Sequence, residues 1–474
     1  MEPKKIKIGL FSIGLNTYWE QFPELLTKLD GYRKNISSHL SEFDVEVIDA
    51  QMVDSVEKAY LAGDLFNKEG VSLIFLYIST YALSATVLPV IQKINVPVII
   101  LNLQPTAAID YKVFNKLADR GKMTGEWLAY CQACSVPEIT NLFNRMKIRY
   151  EIVTSYLKDE NVWKEINDWV ESTRVAEEMR VNNLGILGHY YNGMLDVYTD
   201  LSLQSAVFGT HIELVEMCEL KKYRDDVKDQ EVRDKIIEFS KVFEISPECE
   251  EFEINRAART SLALDKLVEA HNFGSLAYYY EGTPGSEYEN IVTSIIAGNT
   301  LLTGKHIPVA GECEVKNAQA MKIIDSFGAG GSFSEFYALD LNDDIVLLGH
   351  DGPAHFKIAE DSIKLVPLPL YHGKPGKGLS IQMTVKNGPV TLLSVVQTNG
   401  GIFLLTAEGN SVRGPVLEIG NTNSRYQFSI GAREFINRWS KQGPAHHCAI
   451  AVGHITGKIE KLGILLGIPV VRIC

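Results

Sequence analysis

Histidine and glutamate side chains in glycine-rich segments of the second half of the chain are the groups best suited to chemistry. The histidines cluster in Gly349-His-Asp-Gly-Pro-Ala-His355 and Gly443-Pro-Ala-His-His447, and two glutamates stand out, Glu312 and Glu335. Histidine beside glycine and proline is typical of a loop, where its side chain can face a cleft instead of a packed core. Two carboxylates with two imidazoles can bind a divalent metal such as Mn²⁺ and leave room for substrate oxygens.

This combination of groups suits a proton transfer between neighbouring carbon atoms of a sugar. Moving a proton between C1 and C2 needs a base and an acid on one face, and the ene-diolate that forms needs a cation beside its oxygens. A carboxylate that binds metal through one oxygen and faces the substrate with the other can fill both roles. Any single Glu or His here is more often structural, but their joint occurrence favours metal-assisted interconversion of an aldose and a ketose.

The first part of the chain alternates short apolar runs with longer amphipathic ones, which predicts strands alternating with helices. The predicted strands are Ile6–Ile13, Val45–Ile48, Leu73–Ile78 and Val96–Leu103. Helices between them are predicted at Trp19–Leu40, Ser55–Asn67 and Ala82–Ile94. Strands rich in Val, Ile and Leu between helices are typical of a parallel sheet that is covered on both faces. Ligands of such sheets meet the loops that follow the strands, so the segment Gly14–Trp19 should lie at a binding edge.

A second α/β unit is predicted after a charged helical stretch around Asp159–Glu178. Its predicted strands are Leu184–Leu187, His211–Met217 and Ser275–Tyr280, and its predicted helices are Phe252–His271 and Val315–Phe327. Beyond a glycine-rich loop at 328–332, the sequence is rich in strands and in turn signals such as Lys386-Asn-Gly388 and Thr398-Asn-Gly-Gly401. The chain is predicted to end with a helix near His447–Leu462 and a strand at Ile468–Ile473.

These patterns together predict an α/β fold: two consecutive doubly wound α/β domains followed by a mainly β C-terminal domain. At 474 residues the chain is long enough for two or three cores, since single cores stop growing at about 250–300 residues. We place a Rossmann-like domain at 1–180, a central α/β domain at 181–328, and at 329–474 the mainly β domain that carries the metal-site histidines.

Composition limits the class of partner and the compartment. The formal net charge of −13 argues against nucleic acid or an anionic membrane, because binding to either needs a basic surface. No apolar stretch reaches the roughly 18–20 residues of a membrane helix, and the start of the chain reads as a strand and not as a signal peptide. Seven scattered cysteines indicate free thiols in a reducing compartment, with Cys131 and Cys134 as packing residues. We therefore expect a cytoplasmic protein with a small neutral substrate.

Four short motifs around the candidate residues follow one another along the chain. They read Val309-Ala-Gly-Glu312, Ser332-Phe-Ser-Glu335, Asp344-Ile-Val-Leu-Leu-Gly-His350 and Gly443-Pro-Ala-His-His447. In this order they resemble the motifs of the L-arabinose isomerase family. The resemblance implies four ligands for Mn²⁺, or for Co²⁺ or Mg²⁺: Glu312, Glu335, His350 and His447. It also implies that the two glutamates are the catalytic acid–base pair.

The same resemblance implies a substrate site and an oligomer. The implied substrate-binding residues are Asn16, Met194, Tyr280 and His446. Family members share active sites between subunits, so we expect a homo-oligomer, a hexamer or a tetramer, in which Tyr18 and Trp19 lie in an interface. The alternative is that Trp19 starts the next helix and packs on its own domain.

Substrate identity is the least specified property. The segment Met123–Glu138 departs from the family pattern and Asn16 replaces the usual glutamine, so L-arabinose is only the default sugar. An isomerase of the fucose type, or an epimerase of a different or modified sugar, would share the metal site. A non-enzymatic sugar-binding protein would also have two α/β domains, but it would need no metal ligands.

Overall fold

The structure is a computed structural model that describes residues 5–369 and 377–474. The chain divides into two compact units, Met1–Glu177 and Glu178–Cys474. Each unit contains a parallel β-sheet, and the second also contains an antiparallel barrel. Among the described residues, no helix is both long enough and apolar enough to cross a membrane.

The first unit is built on a five-stranded parallel sheet. Its strands are β1 (Lys7–Ile13), β2 (Glu46–Val53), β3 (Leu73–Ile78), β4 (Val98–Gln104) and β5 (Tyr150–Tyr156). Its helices are α1 (Thr17–Gln21), α2 (Pro23–Ser41), α3 (Val56–Glu69), α4 (Leu88–Gln92), α5 (Tyr111–Phe114), α6 (Arg120–Leu128), α7 (Gln132–Met146) and α8 (Glu160–Val181), with a 3-10 turn at Ser84–Thr86. The sheet order β2-β1-β3-β4-β5 changes direction between β1 and β3, and ligands of open parallel sheets bind after the strands at such a point. Asn16 follows β1 there and is exposed.

The aromatic pair after β1 has partners within the first unit. Trp19 lies in α1, and its indole N–H donates to Oδ2 of Asp54 at 2.8 Å. Tyr18 and Trp19 are half-buried against a cluster that includes Leu25 and Leu29. Trp19 therefore starts a helix and packs on its own unit, as the alternative interpretation expected. Sharing of the active site between subunits stays a prediction.

The second unit opens with another parallel sheet. Its next strands along the chain are β6 (Asn183–Gly188), β7 (His211–Val215), β8 (Glu244–Ile245), β9 (Ser275–Tyr279) and β10 (Val309–Ala310). Four of them form a parallel sheet in the order β10-β9-β6-β7. The helices are α9 (Leu201–Phe208), α10 (Met217–Asp225), α11 (Asp229–Val242), α12 (Glu251–His271), α13 (Glu289–Val292), α14 (Ile296–Gly304) and α15 (Val315–Ser326), with a 3-10 turn at Gly311–Cys313.

The rest of the second unit is mainly β and contains a closed barrel. The strands are β11 (Gly330–Asp340), β12 (Ile345–His350), β13 (Lys364–Leu368), β14 (Gly378–Gln382), β15 (Gly388–Thr398), β16 (Gly401–Val412), β17 (Thr422–Phe428), β18 (His447–Val452) and β19 (Val470–Arg472). A 3-10 turn lies at Phe356–Ile358, and the helices are α16 (Ala432–Lys441) and α17 (Thr456–Leu466). The seven-stranded sheet runs β15-β18-β11-β12-β17-β16-β19, and β15 also pairs with β16, which closes the barrel; β8, β13 and β14 form a separate small sheet. The mixed α/β fold with a C-terminal β region is thus confirmed.

Two predicted elements of the C-terminal region are wrong. The predicted helix at His447–Leu462 is strand β18 followed by α17, because β18 pairs with β11 on one side and β15 on the other. A strand that is buried on both faces lacks the polar–apolar alternation that identifies strands in a sequence. The predicted loop at 328–332 is also too long, since β11 already begins at Gly330.

Each unit has its own apolar core. In the first unit, the main cluster joins the sheet to α3 and α7 through residues such as Phe11, Phe66 and Phe143. In the second unit, one large cluster joins α11, α12 and α14 to the barrel, and its members include Phe239 and Trp439. The barrel strands that carry the candidate site pack on this cluster, whereas β10, which leads to Glu312, belongs to a second cluster of the same unit.

A histidine at the end of α12 links three elements of the second unit. His271 lies 2.7 Å from Glu213 through Nδ1 and 2.7 Å from Glu219 through Nε2, and its ring stacks on Phe273. The hydrogen bond with Glu219, assisted by that with Glu213, raises the pKa of His271 above its ordinary value. The doubly bonded imidazolium should therefore stabilise this part of the fold.

This bridge predicts a stability difference that depends on pH. Because the folded pKa is raised, the stabilisation is complete below the unfolded pKa of about 6.5 and is lost as the pH rises through the folded pKa. We expect His271→Gln to lower the unfolding temperature more at pH 6 than at pH 9, measured by thermal unfolding monitored by circular dichroism. His211→Gln, at an exposed position of β7, is the control. An equal loss at both pH values would contradict the charged bridge.

Candidate active site

Three of the four predicted metal ligands lie on adjacent strands of the barrel. Glu335 of β11 is directly opposite His447 of β18, and on its other side it pairs with Gly349 of β12. His350 is the last residue of β12 and His447 is the first residue of β18. The antiparallel pairing therefore brings residues that are distant in the sequence to one end of three neighbouring strands.

The fourth, Glu312, comes from a tight turn after β10 of the parallel sheet. Glu312 and Cys313 both have left-handed backbone conformations, with φ of 53° and 58°. A non-glycine residue in this conformation costs roughly 1–3 kcal/mol, and such strain is concentrated at functional sites. Gly311 before them has no room for a side chain, since a Cβ there would lie 2.9 Å from the ring of Phe333. The local sequence thus aims Glu312 at the barrel end at the expense of backbone strain.

The four residues and His446 converge on one point. Glu312, His350 and His447 form one group of potential metal ligands, and Glu335, His446 and His447 form another, with ligand atoms within 4.8 Å in each group. Oε2 of Glu312 and Nε2 of His447 lie 3.4 Å apart, and both are buried without a hydrogen-bond partner. Two ligand atoms that each lie about 2.1 Å from one ion are separated by about 3.0–3.4 Å. These orphaned atoms therefore fit a cation held between them.

His447 has a carboxylate on its other side. Its Nδ1 donates to Oε2 of Glu314 at 2.6 Å, and Glu314 is only 1% exposed. Because a carboxylate accepts, the proton of the ring lies on Nδ1, and the lone pair of Nε2 faces Glu312. Metal-binding histidines commonly have such an outer carboxylate, which orients the ring and raises its basicity. The sequence analysis missed Glu314, although its spacing from Glu312 in Glu312-Cys-Glu314 was a signal.

His446 is held by Asp196. The carboxylate of Asp196 accepts from Nδ1 of His446 at 2.6 Å and from its backbone N–H at 3.1 Å. Nε2 of His446 then lies 3.4 Å from Glu312 and 4.0 Å from Glu335. Burial by itself lowers the pKa of His446, but the carboxylates of Glu312 and Asp196 raise that pKa to about 9. A positive imidazolium therefore lies between the two glutamates.

A buried lysine contacts both acidic residues that orient His446 and His447. Lys316 donates from Nζ to the backbone carbonyl of Asp196 and lies 3.9 Å from the carboxylate of Glu314. It is the second residue of α15, which begins directly after the Glu312 turn. Glu314 and Asp196, which orient His447 and His446, are thus fixed relative to one another.

Of the four predicted metal ligands, His350 has the ring orientation that is least suited to binding a metal. The backbone N–H of Gly352 donates to Nδ1 of His350 at 2.8 Å, so a neutral ring has its proton on Nε2. Binding of a metal through Nε2 would require that this contact or the ring orientation changes. Burial lowers the pKa of His350 to about 4, which keeps the ring neutral at pH 7.

The two glutamates differ in acidity. Burial by itself raises the pKa of Glu312, but the imidazolium of His446 and the nearby His447 and His350 hold that pKa below its ordinary value. Burial raises the pKa of Glu335, against the lowering influence of His447 and His446. Environments that push the pKa values of two carboxyl groups apart define a base and an acid. Glu312 is thus the carboxyl group that more readily stays ionised and can accept a proton, and Glu335 is the one that more readily carries a proton to donate.

A cavity of about 270 Å³ lies beside this cluster. Its polar wall consists of Glu312, Glu335, His350, Asp351 and His446. Its remaining wall is mostly apolar or aromatic and includes Tyr191, Met194, Tyr278, Tyr279, Ile295, Ile296 and Asn299. The volume approaches the lower end of the range for small-molecule sites.

The predicted substrate-binding residues fall in three places. Met194 and His446 line the cavity. Tyr280 lines a separate cavity beside His189, while its neighbours Tyr278 and Tyr279 line the first one. Asn16 belongs to the first unit. The sequence analysis missed Tyr191 and Asn299, and nothing in their immediate sequence distinguishes them from packing residues.

Comparison with known proteins points to the sugar isomerases as a class. No protein-family model matches the chain. It is 21% identical over 304 residues to a sulfoquinovose isomerase from Alkalicoccus urumqiensis, and the alignment covers 63% of this chain and 66% of that protein. It is 20% identical over 441 residues to the L-arabinose isomerase of Clostridium beijerinckii, with coverage of 90% and 87%. The similarity supports a sugar isomerase and does not single out the L-arabinose isomerases.

The hydrogen bond between His447 and the carboxylate of Glu314 gives a prediction about metal affinity. Glu314→Gln removes the charge that orients His447, and loss of such a partner typically weakens metal binding about 10–100-fold. We expect that decrease in the Mn²⁺ association constant, measured by titration calorimetry on the chelator-treated protein. Glu248→Gln, at an exposed position after β8, is the matched control and should leave the constant unchanged. An unchanged affinity in Glu314→Gln would show that His447 needs no such support or is no ligand.

Proposed function

We propose that the protein is a metal-dependent isomerase that interconverts an aldose and a ketose. One observation carries the proposal: two glutamates and two histidines of the second unit converge beside a cavity, with buried, unpartnered Glu312 Oε2 and His447 Nε2 facing each other. The similarity to two proteins named as sugar isomerases supports the same class.

The residues that would hold the metal are those predicted from the sequence: Glu312, Glu335, His350 and His447. Carboxylate and imidazole donors suit Mn²⁺, and Co²⁺ or Mg²⁺ are acceptable alternatives. When bound, the cation would polarise the substrate oxygens and stabilise the negative charge that develops on them. The outer carboxylate of Glu314 keeps His447 in the tautomer that such binding requires.

Glu312 and Glu335 divide the proton transfers. Glu312, which more readily stays ionised, takes the proton from C2 of the aldose while Glu335, which more readily carries a proton, protonates O1, which gives an ene-diol. O2 then loses its proton and C1 gains one, so that the product is the ketose and both carboxyl groups return to their starting states. His446, held by Asp196 between the two carboxylates, would donate a hydrogen bond to a substrate oxygen.

The cavity lining favours an uncharged sugar. Its lining residues include three acidic side chains and, among the described residues, no lysine or arginine. A sulfonate or phosphate would find no lysine or arginine side chain among these described residues to bind it, so we propose a neutral aldose, with L-arabinose as the first candidate. The similarity to a protein named sulfoquinovose isomerase favours a modified sugar as the second candidate.

A panel of aldoses tests both parts of the proposal. The chelator-treated protein would be incubated with Mn²⁺ and L-arabinose, L-fucose, D-glucose or sulfoquinovose, and ketose formation measured by chromatography. We expect turnover of a neutral aldose that requires the metal. Turnover of sulfoquinovose alone would overturn the proposal of a neutral substrate. Absence of ketose from every sugar would overturn the proposal that the protein is an isomerase.

A further inference from the structure

Helix α14 is an unusual place for an asparagine side chain. All nine residues of α14, Ile296–Gly304, are buried, and the helix packs against α12 and the second-unit core. Asn299 lies in its middle and is 1% exposed. Asparagine is a poor helix former and is seldom fully buried, so packing alone gives no reason for it here.

The side-chain oxygen of Asn299 has no partner. Oδ1 is buried and accepts no hydrogen bond from any described residue. Leaving such an acceptor unsatisfied costs about 1–3 kcal/mol, and nearly all buried polar atoms avoid that cost. An amide oxygen that is buried without a hydrogen-bond partner can therefore accept a hydrogen bond from a ligand.

Asn299 lies at the cavity on a helix whose backbone is closely packed. Asn299 lines the cavity together with Ile295 and Ile296, which adjoin it on the same helical segment. Gly298 lets α14 approach α12 so closely that a Cβ there would lie 2.9 Å from Cα of Ser261. Thr303 caps the backbone carbonyl of Asn299 with a hydrogen bond of 2.9 Å. The backbone that carries the amide cannot move away without disturbing this contact between helices.

Four other polar groups of the cavity already have roles in the proposed reaction. Glu312, Glu335, His350 and His446 surround the point where the reacting C1 and C2 oxygens would bind. Asn299 instead belongs to the wall that also contains Ile295, Ile296 and Met194. A sugar carries further hydroxyl groups along its chain, and each is both a donor and an acceptor.

We propose that Asn299 is a specificity-determining residue that accepts a hydrogen bond from one sugar hydroxyl beyond C2. The inference rests on the proposed function, since it takes a sugar as the ligand. A site built to bond a hydroxyl rejects an analogue that lacks it, because its own polar group is then left unpaired. Asn299 would thus select among aldoses by the position and configuration of that hydroxyl.

The test combines deletion of the hydroxyl with deletion of the amide. The substrates are L-arabinose, or the best aldose of the panel above, and its derivatives that each lack one hydroxyl beyond C2. The proteins are the wild type, Asn299→Leu, which has nearly the same shape without the amide, and Asn437→Leu, a matched change at an exposed position of α16. For each pair, kcat/KM is measured with saturating Mn²⁺.

We expect the wild type and Asn437→Leu to discriminate against one deoxy derivative by about 10–100-fold, and Asn299→Leu to lose that discrimination for that derivative alone. Equal losses for every sugar would show a structural role and overturn the proposal. If Asn299→Leu does not fold, the wild type still decides, because discrimination below threefold against every derivative refutes the bond. Isomerisation without this pattern refutes only the role of Asn299, whereas absence of isomerisation refutes the proposed function as well.

Discussion

Replacing Glu312 with glutamine is expected to lower kcat by about 10²–10⁴-fold, the usual contribution of a general acid or base. Glutamine fills the same space, but it cannot take the proton from C2 and it removes a negative charge from the metal site. The measurement is kcat at several Mn²⁺ concentrations, so that weaker metal binding can be separated from the loss of the base. The same change at Glu335 should also abolish most turnover.

Glu434→Gln, on the exposed face of α16, is the matched control for this experiment and should retain normal kinetics. Near-normal kcat in Glu312→Gln at saturating Mn²⁺ would show that another group is the base. Restoration of full activity by high Mn²⁺ alone would mean that Glu312 only binds the metal.

Removal of the metal is expected to abolish activity, and addition of Mn²⁺ should restore it, with Co²⁺ or Mg²⁺ as weaker substitutes. Without the metal, Oε2 of Glu312 and Nε2 of His447 are buried without a hydrogen bond to any described residue. Binding should also be visible without catalysis, since a ligand at about 100 times its Kd stabilises the folded state by about 2.7 kcal/mol. We expect a corresponding rise in the unfolding temperature of the chelator-treated protein on addition of Mn²⁺.

His447→Gln should lose this thermal stabilisation by Mn²⁺, whereas His454→Gln, remote from the cluster, should keep it. Full activity after rigorous chelation would refute the metal-dependent mechanism. Stabilisation by Mn²⁺ that persists unchanged in His447→Gln would place the metal elsewhere in the protein.

The sequence predicts best those elements whose pattern is local. Strand β3 has the predicted bounds, Leu73–Ile78, because every residue of it is apolar and buried. Strand β5 was missed because it lies at the edge of the sheet, and its sequence Tyr-Glu-Ile-Val-Thr-Ser-Tyr has neither a continuous apolar run nor a regular polar–apolar alternation. The hairpin turn at Asn399-Gly400 was recognised, since its turn residues connect β15 and β16 directly.

The residues of the candidate site also differ in how clearly the local sequence points to them. Glu312, Glu335 and His447 could be identified because each stands in a short motif with glycine or histidine neighbours. Asp196 could not, since its role depends on a contact with His446, which lies 250 residues further along the chain. Asn299 could not either, because a lone asparagine in an apolar helix becomes informative only when its missing partner can be seen.

The left-handed backbone at Glu312 and Cys313 has a consequence for laboratory evolution of this protein. Glycine or asparagine would relieve the strain at position 312, so selection for thermostability alone will favour variants that have lost the carboxylate. Stability and turnover therefore compete at this one codon. A screen for folded protein after heating would therefore select stable variants without activity. A screen for ketose formation would retain Glu312 and would select stabilising substitutions at other positions.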